Sequence, residues 1–321
     1  MLDAFGREIC YMRISVTDRC NLRCGYCMPE RFAGVSHADV LRYEELLRIC
    51  RAALTLGVDR FKITGGEPLV RKGVIEFIAR LKTLEGVRSV TLTTNGLLLS
   101  EALPGLIKAG IDGVNVSLDA VDRDIYKRIT GVDAADEVLS AAEECAASGI
   151  RTKINAVVME SNAGQIVPLA SLAGRLPIDV RFIELMPIGF GAGMTAPDGS
   201  RVLELLRQRW PELSPAGETR GNGPAEYFSA DGLTGRIGVI AASSRPFCGS
   251  CNRVRLTSTG FLTPCLCYSD GVDLRGLLRG GADDEALAEA MRKAILAKPE
   301  GHSFGETGGV TESRTMCQIG G

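Results

Sequence analysis

Met12-Arg13-Ile14-Ser15-Val16-Thr17-Asp18-Arg19-Cys20-Asn21-Leu22-Arg23-Cys24-Gly25-Tyr26-Cys27 runs a short β-rich segment straight into three closely spaced cysteines. Residues 12–17 have the composition of a strand, and the loop that follows holds three thiols at its C-terminal end. Similar runs recur at 60–64, 89–93, 113–118, 152–158 and 180–185. Helical periodicity fills the intervals at 43–56, 74–83 and 136–148, and Gly149 stops the last of these. Alternation of this kind builds a parallel sheet. Six βα units in the first 186 residues fall short of the eight that close a TIM barrel. The expected fold is α/β, an open partial (βα)6 TIM-like barrel with its chemistry at the C-terminal ends of the strands; a doubly wound sheet is the other architecture the alternation allows.

The glycine-rich stretch 187–193 breaks the alternation and sets the expected domain boundary: residues 1–187 form the barrel, and 188–321 form a C-terminal α+β domain that covers its opening. This second part predicts a helix near 203–209, strands at 236–240 and 253–256, and a late amphipathic helix. In that helix Leu287, Met291, Ala294 and Ile295 share a face, and Asp283 or Asp284 caps the start.

The chain has 321 residues, 45% hydrophobic and 24% charged, enough to bury a large core. Its 37 Lys and Arg against 39 Asp and Glu leave a net charge of −2, so no chain-wide basic field announces nucleic acid as a partner. The first eight residues carry acids and lack the apolar segment of a secretory signal. No later run reaches the length of a membrane span. A cytoplasmic location away from membranes is expected, where disulfides do not persist and clustered cysteines bind metal or do redox work. Six of the eleven cysteines fall into two groups, Cys20, Cys24, Cys27 and Cys248, Cys251, Cys265. Cys10, Cys50, Cys145, Cys267 and Cys317 read as buried small side chains or spare thiols.

Three cysteines as close as the first group can ligate three irons of a 4Fe–4S cube and leave the fourth iron open to a small molecule. Structural zinc wants four ligands, and the nearby sequence offers only His37, outside the usual spacing. The second strand ends in Gly65-Gly66-Glu67-Pro68, whose glycines let backbone approach a ligand and whose carboxylate suits an ammonium. In the second group, a turn at 257–260 predicts a hairpin that returns Cys265 to the neighbourhood of Cys251. Arg253 and Arg255, two apart on the outgoing strand, project from one face beside that metal site as a phosphate clamp.

The C-x-x-x-C-x-x-C pattern after a first strand, followed by Gly-Gly-Glu-Pro, resembles the radical S-adenosylmethionine (SAM) superfamily. The run Cys251-Asn252-Arg253-Val254-Arg255-Leu256 narrows the likeness, as do the segments 92–96, 115–120, 181–187 and 223–225 and the ending Ile319-Gly320-Gly321. Together they resemble the GTP 3′,8-cyclase family of molybdenum cofactor biosynthesis.

The resemblance implies two 4Fe–4S clusters: Cys20, Cys24 and Cys27 hold the one that binds SAM, and Cys248, Cys251 and Cys265 hold an auxiliary cluster that binds the guanine of GTP. It assigns Tyr26, Gly66, Glu67, Ser117 and Met186 to SAM, and Arg13, Lys62, Thr93, Lys153, Arg253 and Arg255 to GTP. It gives Arg13, Arg253, Arg255, Gly320 and Gly321 catalytic roles, the last two on a flexible tail that reaches the active site. The implied lyase reaction begins when a 5′-deoxyadenosyl radical takes the C3′ hydrogen of GTP; attack on guanine C8 then gives (8S)-3′,8-cyclo-7,8-dihydroguanosine 5′-triphosphate. Implied partners are an electron donor such as a flavodoxin-like protein and a downstream cyclic pyranopterin monophosphate synthase, and a homodimer is compatible. Cys267 is a thiol beyond the family pattern, and the loop 29–42 is short for the family. The competing readings are a radical SAM peptide or enzyme maturase with an auxiliary cluster, and a non-catalytic metal-binding scaffold.

Overall fold

Six strands, β1 (Tyr11–Ser15), β2 (Arg60–Thr64), β3 (Ser89–Thr94), β4 (Gly113–Ser117), β5 (Thr152–Val158) and β6 (Asp179–Glu184), pair in sequential order and all in parallel. The computed structural model describes every residue except Pro29, Glu30, Arg31, Ala33, Glu218, Thr219, Thr307 and Gly321. The expected catalytic Gly321 and part of the loop 29–42 therefore lie outside the described residues.

The chain beyond residue 187 continues this same sheet at both edges. It adds β7 (Ser214–Pro215), β8 (Glu226–Ser229), β9 (Ile237–Ile240), β10 (Arg253–Leu256), β11 (Phe261–Thr263) and β12 (Val272–Asp273). β10 pairs in parallel with β1, and β9 pairs in parallel with β6. Eight neighbouring parallel strands result, with β11–β12 and β8–β7 appended as antiparallel edges. Among the described residues the two edges do not pair with each other, so the barrel is open, as expected. The second part of the chain thus does more than cover an opening: its strands lengthen the wall at both edges.

Parallel strands covered on both faces normally read as continuous apolar runs. Here they alternate. Met12 and Ile14, Phe61 and Ile63, Val90 and Leu92, Val114 and Val116, and Val254 and Leu256 are buried in the main core, whereas the residues between them are polar or charged. The apolar side chains belong to the core shared with the outer helices, among them Tyr43–Thr55, Val74–Lys82, Leu99–Lys108, Ala135–Ala147 and Ile166–Arg175. A period of two sends the polar set to the opposite face, into the barrel interior.

The late amphipathic helix, Asp284–Leu296, buries Leu287, Met291, Ala294 and Ile295 and packs against Tyr43–Thr55. Of the two candidate caps it uses Asp283, whose Oδ1 accepts from the Ala286 N–H at 2.8 Å. Asp283→Ala should lower the unfolding free energy in urea by about 1 kcal/mol; an unchanged denaturation midpoint would show that the cap contributes nothing.

Candidate active site

The interior face of the strands encloses a cavity of about 300 Å³. Strand register stacks its wall into rows. Arg255, Arg13, Lys62 and Thr91 are Cα partners across β10, β1, β2 and β3, while Thr93, Asn115 and Lys153 form a second row and Asn155 and Arg181 a third. Arg151, Arg220, Arg253 and Lys298 complete the charged lining. Among the described residues, every Arg, Lys, Asp or Glu that lines it is basic. The site therefore lies inside the barrel, with several of its residues mid-strand, and not only at the strand ends.

Crowded, half-desolvated cations depress one another. Burial, then Arg181, Arg13 and Lys153, hold the Lys62 ammonium well below its usual value. Burial and Arg181 push Lys153 down to about 8 against the pull of Asp179, and burial with Arg13 and Arg253 pushes Arg255 down to about 9. Asp179 stands behind the wall and joins two of the cations: its Oδ2 is 3.1 Å from Lys153 Nζ, and its Oδ1 is 2.6 Å from Arg220 Nη1. Lys153 also donates to Tyr227 Oη and the Arg220 carbonyl, both at 2.7 Å, which fixes the 220–224 turn against the cavity. Arg181 Nε donates to Asn155 Oδ1 at 2.9 Å.

The first cysteine loop lies beyond the C-terminal end of β1. Its stem is backbone paired to the Gly-Gly-Glu-Pro segment: the Gly66 N–H donates to the Thr17 carbonyl and the Glu67 N–H to the Arg19 carbonyl. A Cβ on Gly66 would lie 2.3 Å from the Arg19 oxygen, so the glycine is required for this backbone contact. Glu67 is fully buried. Its carboxylate accepts from the Leu69 and Asn95 N–H groups and the Thr94 hydroxyl, and burial still raises it to about 7. Those three donors hold the loop, a role the expected ammonium contact did not include. Tyr26 donates to Asp119 Oδ2 at 2.8 Å, and Asp119, raised to about 6 by burial, also takes the Val157 N–H.

Burial pushes up the thiols of Cys20, Cys24 and Cys27, and the charges of the other cysteines raise Cys24 and Cys27 further. Three thiolates can coexist here only with a cation that draws off their protons, as an iron cluster does. Among the described residues no three side chains stand close enough to share one metal ion. A cube would take each thiolate on a separate iron, so Cys20, Cys24 and Cys27 need not converge on one ion. Above the cavity lies the short helix Met316–Ile319. Beyond it the Gly320 carbonyl accepts from Arg13 Nη2 at 3.1 Å and from Thr64 Oγ1 at 3.2 Å, which seats the tail at the cavity's upper end.

The second triad sits at the opposite mouth, because Cys251 precedes β10 where Cys20 follows β1, and the two strands run parallel. The five residues of β1 separate the mouths by roughly 13 Å at ~3.3 Å per residue. The expected hairpin is present, with Arg255 opposite Thr263 and Leu256 opposite Leu262. Cys248, Cys251 and Cys265 all line the cavity, whereas Cys267 is fully buried and donates toward the Gly309 carbonyl. Burial raises Cys251, but Lys298 and Arg253 together bring its thiol below the usual value.

Of the residues named from sequence, Arg13, Lys62, Thr93, Lys153, Met186, Arg253 and Arg255 line this one cavity together with the second triad. Tyr26, Gly66, Glu67 and Ser117 do not line it; Gly66 and Glu67 belong to the loop after β2, and Ser117 ends β4. Sequence reasoning passed over Asn115, Asn155, Arg181, Arg220 and Lys298. The strand alternation was the available signal for the first three, and the last two lie outside any periodic element.

The model of the radical SAM superfamily matches residues 14–173, and that of the molybdenum cofactor synthesis C-terminal domain matches 178–304. A GTP 3′,8-cyclase of Heliobacterium modesticaldum is 46% identical over all of both chains. One of Clostridium perfringens is 41% identical over the same extent, and one of Geobacter sulfurreducens is 43% identical over all of this chain and 99% of its own. Among solved structures, Streptococcus suis SuiB bound to S-adenosylmethionine superposes with a TM-score of 0.65 at 19% identity, covering 97% of this chain and 78% of that one. At that identity the likeness is one of fold. The full-length identity to the cyclases goes further, and the chain belongs to the GTP 3′,8-cyclase family of radical SAM proteins.

Proposed function

We propose that the chain binds GTP inside the barrel and converts it to (8S)-3′,8-cyclo-7,8-dihydroguanosine 5′-triphosphate, the first step of molybdopterin synthesis. The observation that carries this reading is the cavity wall, where nine Arg and Lys side chains gather among the described residues and Asp179 pairs with two of them. A triphosphate matches so concentrated a positive charge. As a radical SAM protein the chain uses SAM and an iron–sulfur cluster, which when bound supply the 5′-deoxyadenosyl radical that takes hydrogen from C3′ of the ribose.

Cys20, Cys24 and Cys27 would hold that cluster, with SAM beside Tyr26, Gly66, Glu67, Ser117 and Met186. Cys248, Cys251 and Cys265 would hold a second one that receives the guanine. Arg13, Lys62, Lys153 and Arg181 would take the phosphates, and Arg253 and Arg255, which flank the second triad, the end nearer the base in place of the phosphate-clamp role read from their spacing, with Thr93 beside the sugar. The described part of the tail seats Gly320 on Arg13, which ties closure of the upper mouth to a substrate-binding arginine. Enclosure by the wall excludes water and orients C3′. An electron donor and a downstream pyranopterin-forming enzyme complete the reading, and a cytoplasmic location accords with it. No helix is long and apolar enough to cross a membrane among the described residues. A peptide maturase would not call for a narrow interior lined by guanidinium and ammonium groups.

Lys153→Met and Arg181→Met should each weaken GTP binding about 10- to 100-fold, the loss of one charged hydrogen bond of about 1.5–3 kcal/mol, and should change guanosine binding far less. Anaerobic calorimetry measures both; equal losses for nucleoside and nucleotide would contradict the assignment.

Burial and neighbouring cations depress Lys62 and Lys153, and a bound polyanion raises them, so binding takes up protons where they are partly neutral. Near pH 8, heats measured in buffers of different ionisation enthalpy should report net proton uptake, and affinity should fall as pH rises from the free-state values toward the bound-state ones. Zero uptake would contradict the proposed contacts.

A further inference from the structure

Two buried cations converge on the backbone that carries the second cysteine triad. Arg7 is 7% exposed, with Nε donating to Asp3 Oδ2 at 2.6 Å. Its Nη1 donates to the Cys248 carbonyl at 3.0 Å and the Glu300 carbonyl at 2.8 Å, and its Nη2 to the Pro299 carbonyl at 2.7 Å. Asp3 shapes the turn that presents this guanidinium, since its Oδ1 accepts from the N–H groups of Phe5 and Arg7, both at 2.9 Å.

Lys298 is 3% exposed, and its ammonium donates to the Arg253 carbonyl at 3.0 Å and the Pro264 carbonyl at 2.5 Å. Pro264 precedes Cys265, and Arg253 lies two residues past Cys251. Residues 298–300 are therefore a hub. Lys298 grips both strands of the cysteine hairpin, and the next two carbonyls receive Arg7, which reaches on to Cys248. The two carbonyls take two of the three Lys298 hydrogens and do not neutralise its charge, and a buried cation in that state is costly unless an anion faces it. Lys298 lines the same cavity as all three thiols.

We propose that Arg7 and Lys298 form a clasp that positions the three auxiliary cysteines, and that the Lys298 charge balances the cluster they hold. This rests on the auxiliary-cluster reading above. Both are positioning residues. Arg7 works through a fork spanning one carboxylate and three carbonyls, which a lysine cannot reproduce. Lys298 works through its charge, which arginine keeps and methionine removes.

The test is anaerobic reconstitution of the full chain with iron and sulfide, followed by iron analysis and a redox titration read by electron paramagnetic resonance. Wild type should hold about eight irons per chain, and Cys265→Ser, as the reference lacking an auxiliary ligand, about four. Lys298→Met should keep the SAM-site signal and either lose the auxiliary iron or titrate that cluster at a lower potential, because removing a cation disfavours the reduced form. Lys298→Arg should restore the auxiliary signal, and Arg7→Lys should lose auxiliary iron. Lys298→Met and Arg7→Lys with wild-type iron and an unshifted auxiliary potential would overturn the clasp. A wild-type chain with only four irons would remove the auxiliary cluster itself, and the clasp with it, which is a distinguishable result.

Discussion

Like charges enclosed in a small volume repel, and this repulsion is the constraint around which the barrel is arranged. Arg13, Lys62, Lys153 and Arg255 stand on one connected wall, and burial with mutual repulsion holds each below its ordinary basicity. Where a closed barrel stacks branched apolar side chains, the strand rows here carry mostly polar and charged ones, with apolar groups such as Ile183, Met186 and Phe247 joining the lining. The wall is kept in place by its outward face, where Met12, Ile14, Phe61, Ile63 and their neighbours pack against the helices. That core offsets the electrostatic cost of a site built to receive a polyanion, a common trade between stability and function.

Two edges and two mouths follow from this arrangement. β9 and β10 lengthen the wall to eight parallel strands without closing it, so the interior stays open between the β1 and β6 sides. Because β10 lies parallel to β1, the cysteines before β10 and those after β1 fall at opposite ends of the same cavity. A ligand held between them is reached from both. The tail, seated on Arg13 and Thr64 through the Gly320 carbonyl, occupies the upper end, and the hairpin gripped by Lys298 forms the lower one.

Local pattern made much of this legible. The bounds of β2, β5 and β10 follow directly from their β-branched and alternating composition, and the hairpin that returns Cys265 follows from the turn at 257–260. The alternation in Met12-Arg13-Ile14 and Val114-Asn115-Val116 also carried the polar interior, since a parallel strand buried on both faces by apolar neighbours has no reason to alternate. Other features depend on contacts far apart in sequence. No local signal reveals that residues 253–256 pair beside residues 11–14, or that Lys298, past the end of a helix, meets the cysteine hairpin. Gly66 and Glu67 have the residue types of a ligand contact, and only the structure reveals their further part in the loop, the glycine packed on Arg19 and the carboxylate taking three donors. Cys267, a thiol beyond the family pattern, is fully buried, in keeping with its reading as a small buried side chain.

In the proposed reaction GTP lies within the barrel with its C3′ hydrogen presented to the SAM end. Anaerobic turnover with GTP carrying deuterium at C3′ tests it most directly, with mass analysis of the 5′-deoxyadenosine formed. One deuterium per 5′-deoxyadenosine, matched by loss of GTP, is the predicted result. Unlabelled 5′-deoxyadenosine accumulating beside intact GTP would contradict it.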